Sequence, residues 1–85
     1  MNKRMTKPTQ PPSLSTQVTV TLESYFETLD NESATDVYEM VIQQVEKPMI
    51  EFVLAQTEQN QSRSAQILGI NRNTLRKKMQ MYNLI

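Results

Sequence analysis

Histidine, cysteine and tryptophan are absent from this 85-residue chain, and Gly69 is its one glycine. Without cysteine there is no disulfide framework, no thiolate zinc site and no sulfur nucleophile. Without histidine the commonest metal ligand and the commonest general base are both missing. These absences argue against an enzyme and against a cofactor or a small-molecule substrate. Carboxylate pairs at helical spacing, Glu23/Glu27 and Asp36/Glu39, have no histidine beside them and read as solvated surface rather than as a metal or acid–base site. Long apolar runs are also missing. The stretches that hold Val41-Ile42 and Met49-Ile50 are broken within a few positions by charged or amide residues such as Glu39, Gln43, Lys47 and Glu51, far short of the roughly 20 apolar residues of a membrane span. The basic start at residues 1–7 is followed by Pro8-Thr9-Gln10-Pro11-Pro12, where a signal peptide needs its apolar core. The expectation is a cytoplasmic protein with no membrane partner.

Charge is balanced in total but not along the chain. Nine basic and nine acidic residues sum to zero. Residues 1–7 carry Lys3, Arg4 and Lys7 and no acid, whereas residues 8–59 carry all nine acids against Lys47 alone. Residues 60–85 carry Arg63, Arg72, Arg76, Lys77 and Lys78 with no acid. Such asymmetry points to a polyanion as partner of the basic end. A chain this short makes one small domain, and a second copy is an economical way to complete its core.

Three segments follow from composition and periodicity. Residues 1–13 are rich in Pro, Thr, Gln and Ser and read as a flexible arm. Residues 14–58 read as a helical dimerisation region. Val18, Val20 and Leu22 alternate like a strand, yet Val18, Leu22, Phe26 and Leu29 share a helical face, and the length free of Gly and Pro favours a helix over Val18–Leu29. A polar break at 30–33 precedes Thr35, placed to cap a second helix from Asp36 to about Glu58. There Val37, Val41, Val45, Met49, Phe52 and Val53 recur every three or four residues, with Tyr38, Ile42, Ile50 and Leu54 beside them. That perimeter is wider than one short helix covers, so Val41, Val45, Pro48, Met49 and Phe52 are assigned to the dimer or core face. Pro48 removes a backbone donor mid-helix, but the apolar period continues in phase, which predicts a kink rather than an end.

Residues 59–85 have the spacing of a helix-turn-helix. Ala65 and Leu68 face inward from a short first helix, Gly69 supplies a left-handed turn, and Ile70 packs inward. Asn71 caps a second helix from about Arg72 to Met81 carrying Leu75 and Met79 on one face. Asn71, Arg72, Asn73 and Thr74 crowd the start of that helix and Arg76, Lys77 and Lys78 follow. Donors for base edges and phosphates are thus displayed where such motifs enter the major groove.

The run Asn60-Gln61-Ser62-Arg63-Ser64-Ala65-Gln66-Ile67-Leu68-Gly69-Ile70-Asn71-Arg72-Asn73-Thr74-Leu75-Arg76-Lys77-Lys78-Met79 resembles the helix-turn-helix of the Fis (factor for inversion stimulation) family of bacterial nucleoid proteins. It is also similar to the end of NtrC-type activators. Asp36 through Ile50, with its proline, resembles the kinked dimer helix of Fis, and the likeness extends over residues 14–85. The resemblance implies an all-α fold: a four-helix subunit with an interleaved homodimer core made by helices A and B, and a C-terminal helix-turn-helix made by helices C and D. It further implies binding and bending of double-stranded DNA, with roles in nucleoid organisation and transcriptional regulation. Carried over by position, Asn71 and Arg72 contact bases and Arg76 reaches the groove edge, while Asn60, Ser62, Thr74, Lys77 and Lys78 contact phosphates. Departures are Gln80 and Met81 where more bases are usual, Gln59 where glycine is common, Glu58 where a basic residue is common, and a short arm poorly suited to the hairpin that activates invertases. The alternative is an interaction module whose acidic helical surface meets RNA polymerase or a recombinase.

Overall fold

A computed structural model describes residues 13–30 and 32–85, so the arm expected at residues 1–13 lies, except for Ser13, outside the described residues. Four helices and no strand occur among the described residues. The all-α expectation therefore holds. Helix α1 (Leu14–Leu29) begins four residues before the expected start because Ser13 provides a cap: its backbone is extended (ψ 151) and its Oγ accepts the Thr16 N–H at 3.2 Å. The alternation of Val18, Val20 and Leu22 is accommodated on a helix.

No residue of α1 is buried, and Leu14, Val20 and Phe26 are each more than half exposed. Tyr25 and Phe26 meet edge to face with ring centres 5.8 Å apart. An isolated helix of this length is marginal in water. Its apolar side chains need cover.

A second compact unit, residues 38–85, contains nearly all of α2 (Val37–Gln56) with α3 (Gln61–Leu68) and α4 (Arg72–Met81). Helix α2 runs through Pro48 without ending there. The residue before it is Asp36 at φ 58, not Thr35 in the extended geometry expected of a cap. Ile50 and Leu54, one turn apart, are 1 % and 2 % exposed and form the core with Ala65, Leu75, Met79 and Tyr82; Leu68, Ile70 and Leu84 pack against it. The core thus joins residues on both sides of the expected boundary at 58/59. Within this one chain the inward stripe of α2 is not the stripe assigned to the dimer or core. Val41 and Val45 are half-buried, Pro48 is exposed, and Met49 and Phe52 are 45 % and 65 % exposed.

Each helix of the second unit ends in the same way. After α2, Gln59 N–H donates to Leu54 O (2.8 Å) and Glu58 N–H to Ala55 O (3.2 Å). After α3, Ile70 N–H reaches Ala65 O (3.0 Å) and Gly69 N–H reaches Gln66 O (3.1 Å). Leu84 and Asn83 close α4 on Met79 O and Gln80 O at 2.7 and 3.2 Å. This paired closure requires one left-handed residue just past the helix. Glu58 (φ 56), Gly69 (φ 75) and Asn83 (φ 60) take that position, and Gln59 (φ 70) is left-handed as well.

Candidate nucleic-acid interface

The C-terminal helix pair is built from local signals. Asn60 caps α3, its Oδ1 accepting the Arg63 N–H at 3.0 Å. Ser64 and Ala65 form the buried face of α3; the small side chains let α4 approach closely. Burying the Ser64 hydroxyl is acceptable because it lies 2.7 Å from Thr57 Oγ1, which itself bonds the carbonyls of Leu54 and Asn60 at 3.2 Å. Gly69 makes the turn. Asn71 then caps α4, with Oδ1 accepting the Asn73 N–H at 2.7 Å. Leu75, fully buried, and Met79 fix the inner face of α4, in agreement with the inward positions expected from sequence.

The opposite side of α4 is open. Asn71, Arg72, Asn73, Thr74, Arg76 and Lys77 are all exposed, as are Asn60 and Ser62 at the start of α3. Because the caps occupy Oδ1 of Asn60 and Asn71, the free capacity of both amides is on their NH2 groups. They can donate to a phosphate, or to an acceptor on a base edge such as a purine N7. Arg76 Nη1 donates to Gln61 Oε1 at 3.3 Å, which links α4 to the first turn of α3; among the described residues the rest of the guanidinium fork has no side-chain partner. The helix pair therefore brings together seven of the eight residues expected to contact DNA, all but Lys78.

Lys78 is arranged differently. Its Nζ lies 2.8 Å from Glu46 Oε2, with side chains 29 % and 18 % exposed, and Tyr82 Oη donates to Glu46 Oε1 at 2.6 Å. Both carboxylate oxygens of Glu46 are thereby engaged. The hydrogen bond from Lys78, then that from Tyr82, holds the Glu46 carboxyl below the ordinary range against a smaller opposing effect of burial. Donation to Glu46, with burial second, pushes the Tyr82 phenol up to about 12.

Sequence reasoning passed over Glu46, Tyr82 and Ser64. Glu46 had a signal, since it sits four and eight residues before Ile50 and Leu54, in line with the inward stripe. Lys78 and Tyr82 are likewise four apart. The link between the two pairs is tertiary. Among the described residues no cluster of histidine, cysteine or carboxylate side chains is arranged to hold a metal, and no helix is long and apolar enough to cross a membrane.

Comparison with known proteins converges on the same segment. Residues 41–82 match the family model described as bacterial regulatory protein, Fis family. The DNA-binding protein Fis of Actinobacillus succinogenes is 51 % identical over 63 residues, covering 74 % of this chain and 64 % of that protein, just under two thirds of its length. A putative Fis-like DNA-binding protein of Ralstonia nicotianae is 48 % identical over 64 residues, 75 % of this chain and 83 % of the relative. Another, from Pseudomonas aeruginosa, is 40 % identical over 86 residues, spanning this whole chain and 83 % of the relative.

Proposed function

The chain belongs to the Fis family of bacterial regulatory proteins, and from that premise we propose that it is a homodimeric DNA-binding regulator that inserts paired α4 helices into successive major grooves. The observation that carries this reading is the division of α4: Leu75 and Met79 are sealed inside, while Asn71, Arg72, Asn73, Thr74, Arg76 and Lys77 stand in solvent beside the exposed start of α3. In this reading Asn71 and Arg72 contact bases, with Arg76 at the groove edge, and Asn60, Ser62, Thr74 and Lys77 hold phosphates. Few base-reading side chains beside many backbone-contacting ones favour loose sequence preference and recognition through bending of the duplex. Its role is organisation of the nucleoid and regulation of transcription, in the bacterial cytoplasm.

Exposed apolar surface supports the second copy. The unburied side chains of α1 and the exposed Met49 and Phe52 of α2 are the surfaces that residues 14–58 would bury across a dimer. The test is a mobility-shift titration. Arg72→Ala weakens binding to a preferred site by about 1–3 kcal/mol and relaxes its sequence preference, whereas Lys77→Ala weakens all sequences alike. Binding indifferent to salt would overturn the DNA reading.

A further inference from the structure

Lys78 lies on the recognition helix, in the densest run of positive charge in the chain, yet its geometry separates it from its neighbours. At 100° per residue, Arg72 and Arg76 flank one side of the buried Leu75–Met79 stripe, and Lys78 lies about 160° from Arg76 on the opposite flank. That flank faces α2, where Glu46 holds its ammonium at 2.8 Å. Lys77, one residue earlier and exposed, points outward. Tyr82, one turn beyond Lys78, reaches the other oxygen of the same carboxylate at 2.6 Å. Two adjacent positions on one flank of α4 and its C-terminal turn are therefore tied to one side chain of α2. Glu46 and Lys78 line one hollow together with Met49, Ile50, Leu68 and Ile70.

We infer that Glu46 is a positioning residue for DNA binding, which withholds Lys78 from the phosphates and sets the seat of α4 on the protein body. The inference rests on the DNA-binding reading and deepens it. Taking Lys78 out of this pair for a phosphate would leave behind a carboxylate that is itself partly shielded and held by the tyrosine alone. Among the described residues, Arg63, Arg72, Arg76 and Lys77 of the basic end stand outside any ion pair, while the fifth cation, Lys78, is neutralised internally.

The salt dependence of binding tests this, because it counts phosphate contacts and is insensitive to a uniform loss of folded protein. Affinity for one duplex is measured between 50 and 200 mM salt for the wild-type full chain, Lys77→Met, Lys78→Met, Glu46→Gln, and Glu46→Gln with Lys78→Met. Each lost phosphate contact lowers the slope of log K against log salt by about 0.9, or about 1.8 per dimer, equivalent to a roughly 12-fold smaller loss of affinity across that fourfold salt range. Lys77→Met is expected to show that reduction and Lys78→Met less than half of it. Glu46→Gln, which keeps an acceptor for Tyr82 but releases Lys78, is expected to steepen the slope, and adding Lys78→Met returns it. A Lys78→Met slope reduced as much as that of Lys77→Met overturns the inference while leaving the DNA reading intact, and does so even should Glu46→Gln fail to fold. A wild-type slope near zero removes both.

Discussion

Gln59 marks a place where the backbone demands a residue other than the one present. It sits at φ 70, directly after Glu58 at φ 56, and its N–H closes α2 by donating to Leu54 O at 2.8 Å. A side chain in this left-handed region brings its Cβ against a backbone oxygen at a cost of roughly 1–2 kcal/mol. Gly69, which takes the place of Glu58 in the equivalent closure after α3, avoids that cost at its own left-handed position. Replacing Gln59 by glycine keeps the N–H and its hydrogen bond, and the side chain removed is an exposed one. Against the relief stands the larger conformational freedom of glycine in the unfolded chain, about 0.5–1 kcal/mol. The net expectation for Gln59→Gly is a gain of about 0.5–1 kcal/mol, or roughly 2–8 °C in midpoint for a domain of this size. Gln59→Ala, which retains the Cβ, is the control and should stay within about 0.5 kcal/mol of wild type. Urea titrations followed by far-ultraviolet circular dichroism at one fixed protomer concentration measure both, since dimer dissociation would otherwise move the midpoint. A glycine variant no more stable than the alanine variant would refute the idea that this turn stores strain.

Other outcomes follow from the core, the clamp and the exposed faces. Leu75→Ala empties a fully buried site and should cost about 2–5 kcal/mol, visible as an early thermal transition of the C-terminal unit. Tyr82→Phe removes a hydrogen bond to a charged acceptor, worth about 1.5–3 kcal/mol. Because the folded phenol is raised to about 12 from an ordinary 10, its contribution is complete below pH 10 and lost by pH 12. The stability difference between wild type and Tyr82→Phe should shrink across that window in denaturant titrations. Glu46 has the opposite sign: its carboxyl is lowered from 4.5, so its contribution is complete above that value and fades as pH falls through the lowered folded value, a loss that Glu46→Gln should not show. Sedimentation equilibrium at micromolar concentration should give twice the 9.9 kDa chain mass, and Phe52→Asp should reduce it toward one chain. A wild-type mass near one chain refutes the dimer.

How much of this was legible in the sequence varied with the range of the interaction. Asn60 and Asn71 act through bonds to backbone two or three residues away, and Gly69 through bonds to Ala65 and Gln66; Ser13 has the same short reach but was hidden in a segment whose composition reads as an arm. Caps and turns of that reach are written in adjacent residues, and the helix-turn-helix was read from them almost entirely. The inner face of α4 was equally legible, because an interval of four residues between Leu75 and Met79 admits one helical stripe. Helix α2 was harder. Apolar residues occupy so much of its circumference that periodicity alone does not say which stripe meets its own chain, and Ile50 and Leu54, rather than Met49 and Phe52, are the pair buried there.

Glu46 shows why the remaining part of the site was illegible. Counting charge by segment assigns it to the acidic body and Lys78 to the basic end, 32 residues away along the chain, yet the fold places the two in contact. Net charge per segment therefore overstates the cationic surface offered by α4 and understates its anchoring. The same contact has a physical advantage for a helix read by a rigid duplex. A recognition helix held by apolar packing alone can slide or roll by small steps at little cost, since dispersion contacts are numerous and non-directional. Two charge-assisted bonds converging on one carboxylate are directional and sit on the flank of α4 away from Arg72 and Arg76. They restrict roll about the Leu75–Met79 stripe without occupying the groups that read bases. On this argument, loss of the clamp should broaden site preference more than it lowers affinity. Selection from random-sequence duplexes with Tyr82→Phe, which leaves the charge inventory of α4 unchanged, measures that effect, and an unaltered preference would refute it.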